Sequence, residues 1–385
     1  MHSHHPQSVD EGHQRLGIRL PRHSAREIYP ILKDNGLIDS SLIPIVEDGF
    51  ICYPTQDFNQ QQTELIVQSI DGAMIQTSRF ALNISEPTPY QKLVQAIEQL
   101  LTEFGLETHE LLEDIPTKWE RLGSLILFPM DAFTGEKWEV LLERCGDQMW
   151  EQCCAALGSK AIGRQQPVAK TKTRDSQAEI LFGESWVEFS QHDTFFGFDA
   201  SKVMFSSGNI SERQRMTQMN VKNEIIIDAY AGIGYYSLPI AKHGQPHQIH
   251  AFEINPHSIR GLEWGVEKNQ VAHLVQIHPG DNQETLKLFK GTADRCILGL
   301  LPRSTEVWDL AYECLKPRGG TLHIHMNVGE EHIESWIIDT TRYFESLCKQ
   351  AGVDAIITPL HLEKVKWFAP RIRHIVLDLH IEILV

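Results

Sequence analysis

The chain has no run of about 18 apolar residues, so no segment is expected to cross a bilayer as a helix. Its opening, MHSHHPQSVDEGHQ, is polar and lacks the apolar stretch of a secretory signal. Disulfide and zinc patterns are missing too. The 7 cysteines are odd in number and none stands as CxxC; the adjacent Cys153 and Cys154 suit neither a zinc ribbon nor a redox dithiol. A reducing, cytoplasmic setting is therefore expected. Basic charge is scarce. With 35 Lys and Arg against 51 Asp and Glu, the formal charge is -16, which disfavours a polyanionic partner on average. Any nucleic-acid contact must then rest on a local basic surface. There is no full GxGxxG, which weakens a dinucleotide reading, and there are no internal repeats or coiled-coil heptads.

What remains is an ordinary globular composition, 42% hydrophobic and 22% charged over 385 residues, enough for two or three domains. The pattern predicts a small α+β unit over residues 1–85, with residues 1–14 disordered. A second α/β part over 86–215 would lie on the substrate side, and a doubly wound α/β domain would fill 216–385. The first boundary is the Ser85-Glu86-Pro87-Thr88-Pro89 break, where Thr88 is a good N-cap and Pro89 a good first helical residue. Leu93, Ile97, Leu100 and Phe104 then mark one helical face. A strand is expected at Leu125–Phe128, a helix at about Trp138–Leu157 and a hairpin over Glu179–Phe198. Between Gln152 and Arg174 there is no acid, but there are Lys160, Arg164, Lys170, Lys172 and Arg174.

From Glu224 strands and helices alternate. Strands are predicted at Ile225–Ile227, Ile249–Phe252, Val275–His278, Cys296–Leu300 and Thr321–Met326. A long helix near His332–Gln350 and strands near Val353–Ile357 and Ile372–Ile383 follow. Such alternation makes a doubly wound sheet with its ligand beyond the carboxyl ends of the strands. The most informative stretch is EIIIDAYAGIG. Three isoleucines run into Asp228, and Gly232 and Gly234 let the backbone approach a ligand without a Cβ in the way. Glu253 and Asp281 end the next two strands, each after a span that fits one crossover. Glu253 can accept from both ribose hydroxyls; Asp281 and Asn282 can take an adenine amino group and donate to a ring nitrogen. Asp228 and the glycine loop can hold a cationic amino-acid end, so the ligand that fits is S-adenosyl-L-methionine. Read one at a time, Asp228 is equally a helix cap and Glu253 a solvated acid. His323 and His325 share a strand face and read as core or pocket-wall histidines, with no third ligand spaced for a metal. Lys364, Lys366, Arg371 and Arg373, interleaved with Trp367 and Phe368, read either as phosphate and base contacts or as a charged edge strand.

The segments FFGFDASKVMFSSGNISERQR, DAYAGIGYYSLP, AFEINP, GDN, ILGLLPRS and LHIHMNV resemble the tRNA wybutosine-synthesising protein 2 family. That family sits within the wider group that includes tRNA guanine-37 N1-methyltransferases. The likeness is dense from about Phe182 to Val328, returns in KVKWFAPRIRHIVLDLHI, and is thinner in KWERLGSLILFP and VEDGFICYP. It implies a Rossmann-like, S-adenosylmethionine-dependent transferase domain at the C-terminus. It also implies transfer of the 3-amino-3-carboxypropyl group onto 4-demethylwyosine at position 37 of tRNA-Phe, releasing methylthioadenosine. By resemblance Ser206, Arg213, Asp228, Tyr230, Gly232, Gly234, Glu253, Asp281, Asn282 and Pro302 border the cofactor, with Arg213 able to pair with its carboxylate. No catalytic base and no metal ligand is carried over. The methyltransferase cousins resemble Asn-Leu-Pro after the fourth strand, where this chain has Leu300-Leu301-Pro302. Leucine offers no hydrogen bond to a guanine edge, which favours the aminocarboxypropyl reading over a guanine-37 N1-methyltransferase. A catalytically silent tRNA-binding module on the same fold is the further alternative.

Overall fold

The computed structural model describes residues 13–56, 67, 68, 70, 72–83, 86–106, 109–167 and 171–384. Two units follow one another along the chain, Met1–Thr88 and Pro89–Val385. The first holds an antiparallel sheet of order β2-β3-β1-β4 and the helix Arg22–Asp34. Its strands are β1 (His13–Pro21), β2 (Ile45–Glu47), β3 (Phe50–Pro54) and β4 (Met74–Phe80). His13 and Gln14, expected to be disordered, instead open β1; residues 1–12 lie outside the described residues. The cause is alternation: Ile18 and Leu20 face inward and are fully buried. Gly17 lets the strands close up, since a Cβ there would stand 2.6 Å from both Cys52 Sγ and the Phe80 ring.

The second unit begins with the sheet β5-β6-β7-β8, made of β5 (Glu120–Leu122), β6 (Leu125–Phe128), β7 (Ala161–Arg164) and β8 (Glu179–Phe182). Helices Pro89–Glu103, Glu136–Cys145 and Gln148–Leu157 pack with it around a core that includes Phe128, Phe133, Trp138 and Trp150. The rings of Phe128, Phe133 and Trp138 meet edge to face, 4.9 Å between successive centroids. The single helix expected to run to Leu157 is two, because Gly146 adopts φ 54 and ends the first. The hairpin expected over Glu179–Phe198 is also divided. Its first part joins β7 as β8, and the hairpin itself is β9 (Trp186–Gln191) with β10 (Thr194–Asp199). The turn places His192 and Asp193 at φ 49 and 57, the two positive angles of a type I′ turn.

The main sheet has seven strands. They are β11 (Ile225–Asp228), β12 (Gln248–Glu253), β13 (Val275–Pro279), β14 (Arg295–Leu298), β15 (Gly319–Gly329), β16 (Ala355–Ala369) and β17 (Ile372–Ile383). Their order is β13-β12-β11-β14-β15-β17-β16; β11 to β15 are parallel and β17 runs antiparallel to both neighbours. This is the doubly wound, Rossmann-like arrangement, whose order reverses between β11 and β14 and opens a crevice at their carboxyl ends. Two core clusters include the two faces of β11: Ile226 belongs to one and Ile227 to the other, both fully buried. Helix Pro256–Lys268 starts where Asn255 Oδ1 accepts from the His257 amide at 2.9 Å and Pro256 takes the first turn. All seven cysteines are free and buried. Among the described residues no helix is long and apolar enough to cross a membrane, and no group of three or more His, Cys, Asp or Glu is placed to hold a metal ion.

Candidate active site

The three acids stand at neighbouring strand ends. Asp228 closes β11 and is fully buried; its Oδ2 accepts from Ser237 Oγ at 2.7 Å and its Oδ1 from the Tyr230 amide at 3.3 Å. Burial outweighs those two hydrogen bonds and lifts its pKa to about 6. Glu253 closes β12. Its Oε2 accepts from the Gly232 amide at 2.7 Å, and its Oε1 from the Ile254 and Asn255 amides at 2.9 and 2.7 Å. Burial raises its pKa as well. The carboxylate thus clamps the glycine turn, where Gly232 and Gly234 take φ 57 and 90, angles that side chains resist. Asp281, after β13, caps helix Asn282–Thr285 through the Gln283 amide at 3.0 Å, and Asn282 Nδ2 donates to the Ala229 carbonyl at 2.7 Å. That bond ties the third strand end to the first across the glycine turn. Tyr230 is partly buried.

Pro302 lies beyond β14, exposed, in a cis Leu301–Pro302 peptide, and its carbonyl accepts from the Asn327 amide at 2.9 Å. Leu300 is partly buried beside it. The residues of FSSGNISERQR form the approach. Arg213 is 1% exposed: Nε donates to Gln191 Oε1 at 2.5 Å, and its two terminal nitrogens donate to the Ser206 and Ser207 carbonyls at 2.9 and 3.2 Å. The guanidinium expected to grip a cofactor carboxylate therefore faces the loop and fixes its shape. Ser206 Oγ accepts from Lys366 Nζ at 2.9 Å. Ser206 and Lys366 also line a cleft of about 310 Å³ whose other walls include Glu120, Gln165 and Phe205.

Sequence reasoning missed how the basic linker is used. Lys172 Nζ reaches Asp281 Oδ2 at 3.2 Å, Asn255 Nδ2 donates to the Thr173 carbonyl at 3.1 Å, and Arg174 donates to the Leu301 carbonyl at 2.8 Å. Residues 172–174 thus run across the strand ends from β13 to β14. The only available signal was the absence of acids, which says nothing of where a linker lies. Lys170 falls outside the described residues. In the C-terminal hairpin, Lys364 and Arg373 both bind Glu330, at 2.9 Å each, and Arg373 stacks 3.6 Å over Trp367. Trp367 and Phe368 stay more than half exposed. Two of the four expected cations there thus share one carboxylate partner.

The comparisons with known proteins meet this geometry. Residues 189–356 match the TRM5/TYW2 methyltransferase domain, and residues 97–186 match the TYW2 N-terminal domain. The tRNA wybutosine-synthesizing protein 2 homolog of Homo sapiens is 33% identical over 344 residues, covering 76% of this chain and 75% of that protein. The chain belongs to the tRNA wybutosine-synthesizing protein 2 family. A plant member, the tRNA wybutosine-synthesizing protein 2/3/4 of Arabidopsis thaliana, is 39% identical over 292 residues. That match takes in 76% of this chain but only 29% of the plant protein, so the chain spans less than a third of that relative's length. Among solved structures, P. horikoshii TYW2 in complex with MeSAdo aligns with TM-score 0.60 at 27% identity, covering 75% of this chain and 99% of that one.

Proposed function

We propose that this protein moves the 3-amino-3-carboxypropyl group of S-adenosyl-L-methionine onto 4-demethylwyosine at position 37 of tRNA-Phe, releasing methylthioadenosine. The observation that carries the choice is the match of residues 97–186 to a domain described for TYW2 alone, whereas the catalytic domain is described for TRM5 and TYW2 together. The residues present fit the cofactor. Glu253, held at the end of β12, has lone pairs left for a ribose. Asp281 and Asn282 stand one strand over for the adenine, and Asp228, buried beneath the glycine turn, braces it through the Tyr230 amide and Ser237. S-adenosylmethionine supplies a sulfonium with three electrophilic carbons. The protein selects among them by which one it turns toward the nucleophile. Leu300 presents hydrocarbon where an amide would read guanine. Residues 172–174, pinned at both edges of the strand ends, keep water from that side. Ser206, Arg213, Tyr230 and Pro302 complete the surround, Arg213 by shaping the loop that bears Ser206.

The test is the by-product. After incubation with tRNA-Phe bearing 4-demethylwyosine, mass spectrometry should find methylthioadenosine, and the base should gain the whole four-carbon amino-acid chain. S-adenosylhomocysteine in its place would assign methyl transfer and overturn the proposal. So would tRNA binding without any nucleoside product.

A further inference from the structure

One face of the sheet between β14, β15 and β17 is polar, and only half of it is internally satisfied. His323, His325 and Asn327 alternate onto that face of β15. β17 sets Asp378 opposite His323 and His374 opposite Asn327, and β16 sets Lys366 opposite His374. The end nearer Asp378 is closed. Arg295 can only donate, so His323 Nε2, 2.6 Å away, accepts, and His323 Nδ1–H donates to Asp378 Oδ1 at 2.6 Å. Arg215 then joins Asp378 to Glu212 and holds helix Ile210–Thr217 to the sheet.

The end nearer Asn327 is open. Both side-chain polar atoms of Asn327, Oδ1 of Asn209, Nε2 of His325 and Nδ1 of His374 are buried without a hydrogen-bond partner. Asn209 is 8% exposed, and its Nδ2 makes one long contact, 3.5 Å, to the Tyr236 hydroxyl. A buried polar group left unpaired is costly to the fold, and several in one place point to a polar ligand. The place is also telling. The Asn327 amide binds the Pro302 carbonyl at 2.9 Å, and the Tyr236 ring stands 3.0 Å from where a Cβ of Gly299 would be. This is the carboxyl end of β14 and β15. Along the row β13-β12-β11-β14-β15, a ligand with adenosine over β13 and β12 carries its other end here.

That other end is an α-amino acid. Its ammonium needs acceptors, and the Oδ1 atoms of Asn209 and Asn327 are unpartnered. Its carboxylate needs donors and positive charge, and Asn327 Nδ2 is unpartnered while Lys366 Nζ has three protons and gives one to Ser206. Resting on the function proposed above, we infer that Asn209, Asn327 and Lys366 form the recognition site for the amino-carboxylate head of S-adenosylmethionine, the polar end of the group transferred. The Asn327 amide serves in either orientation, since both its atoms lack partners.

The experiment compares two nucleosides by calorimetry. S-adenosylhomocysteine carries the head; methylthioadenosine lacks it. Asn327→Leu and Lys366→Met should each weaken S-adenosylhomocysteine by about tenfold or more, as loss of a hydrogen bond to a charged group does. Methylthioadenosine should bind both variants within about twofold of the unchanged protein. If Asn327→Leu does not fold, Asn327→Asp, of nearly equal size, carries the same comparison, its charge opposing the carboxylate. Equal loss of both ligands, or loss of neither, overturns the assignment. If the unchanged protein binds neither nucleoside, the cofactor proposal falls as well, which separates the two failures.

Discussion

Glu253 has a double task. Its carboxylate gathers three backbone amides, from Gly232, Ile254 and Asn255, and so sets the turn that a cofactor would lie on. Glu253→Ala removes that anchor and the acceptor for the ribose together. S-adenosylmethionine affinity should fall at least about tenfold, or ~1.4 kcal/mol, in calorimetry; an unchanged dissociation constant would move the site elsewhere. The three acids were legible in the sequence because each follows an apolar run, the signature of a buried parallel strand. Asn209, Asn327 and Lys366 were not. Asn327 and Lys366 come together only through the pairing of β15, β17 and β16, and Asn209 enters from the Ser207–Asn209 turn; no local spacing encodes a meeting of residues so far apart in the chain.

At the scale of elements, the loop Ser206–Asn209 and the helix after it depend on one buried cation. Arg213 is stacked 4.6 Å from the Phe205 ring and donates to Gln191 and to two loop carbonyls. Arg213→Met keeps much of the apolar bulk but leaves those acceptors unpaired. A destabilisation of about 2–3 kcal/mol in denaturant unfolding is expected, with faster amide exchange over 206–209. Exchange that stays as slow as before would show that the loop holds itself. The alternating strands and helices from Glu224 onward were readable, their ends shifting by a few residues. Reading failed where a single residue decides, as at Gly146, and where a strand is long but mostly exposed. β16 runs from Ala355 to Ala369; a strand was expected at its beginning, and its far half only as one of two readings, a charged edge strand. Its register shifts and exposed positions break the period-two pattern that marks a strand.

At the scale of the molecule, burial gathers histidines that resist protonation. It lowers His250 and His374 to about 4, the neighbouring His278 and Lys366 adding to this respectively, and it lowers His278, His323 and His325 too. A histidine whose folded pKa lies below its unfolded value binds fewer protons when folded. Its contribution is complete above about pH 6.5 and is lost as pH falls toward about 4. Asp228, raised to about 6, acts with the opposite sign over the same window, and Glu212 and Glu253 are also raised by burial. With five such histidines against three acids, Tm should decline steadily from pH 7 to pH 5. A Tm that climbs on acidification would mean that the acids dominate.

The seven cysteines, scattered through both units and all interior, have a practical consequence. Burial lifts the thiols of Cys153 and Cys314 to about 12, and those of Cys52, Cys145, Cys154 and Cys296 upward as well. Only the thiolate is alkylated, so the folded chain should be nearly silent to iodoacetamide. Each cysteine then becomes a clock for the opening of its own neighbourhood. Cys52 times the first sheet, Cys153 the helical layer, and Cys296 the strand beside the crevice. Read peptide by peptide, alkylation would rank how readily each region breathes, with no label to install and no residue to change.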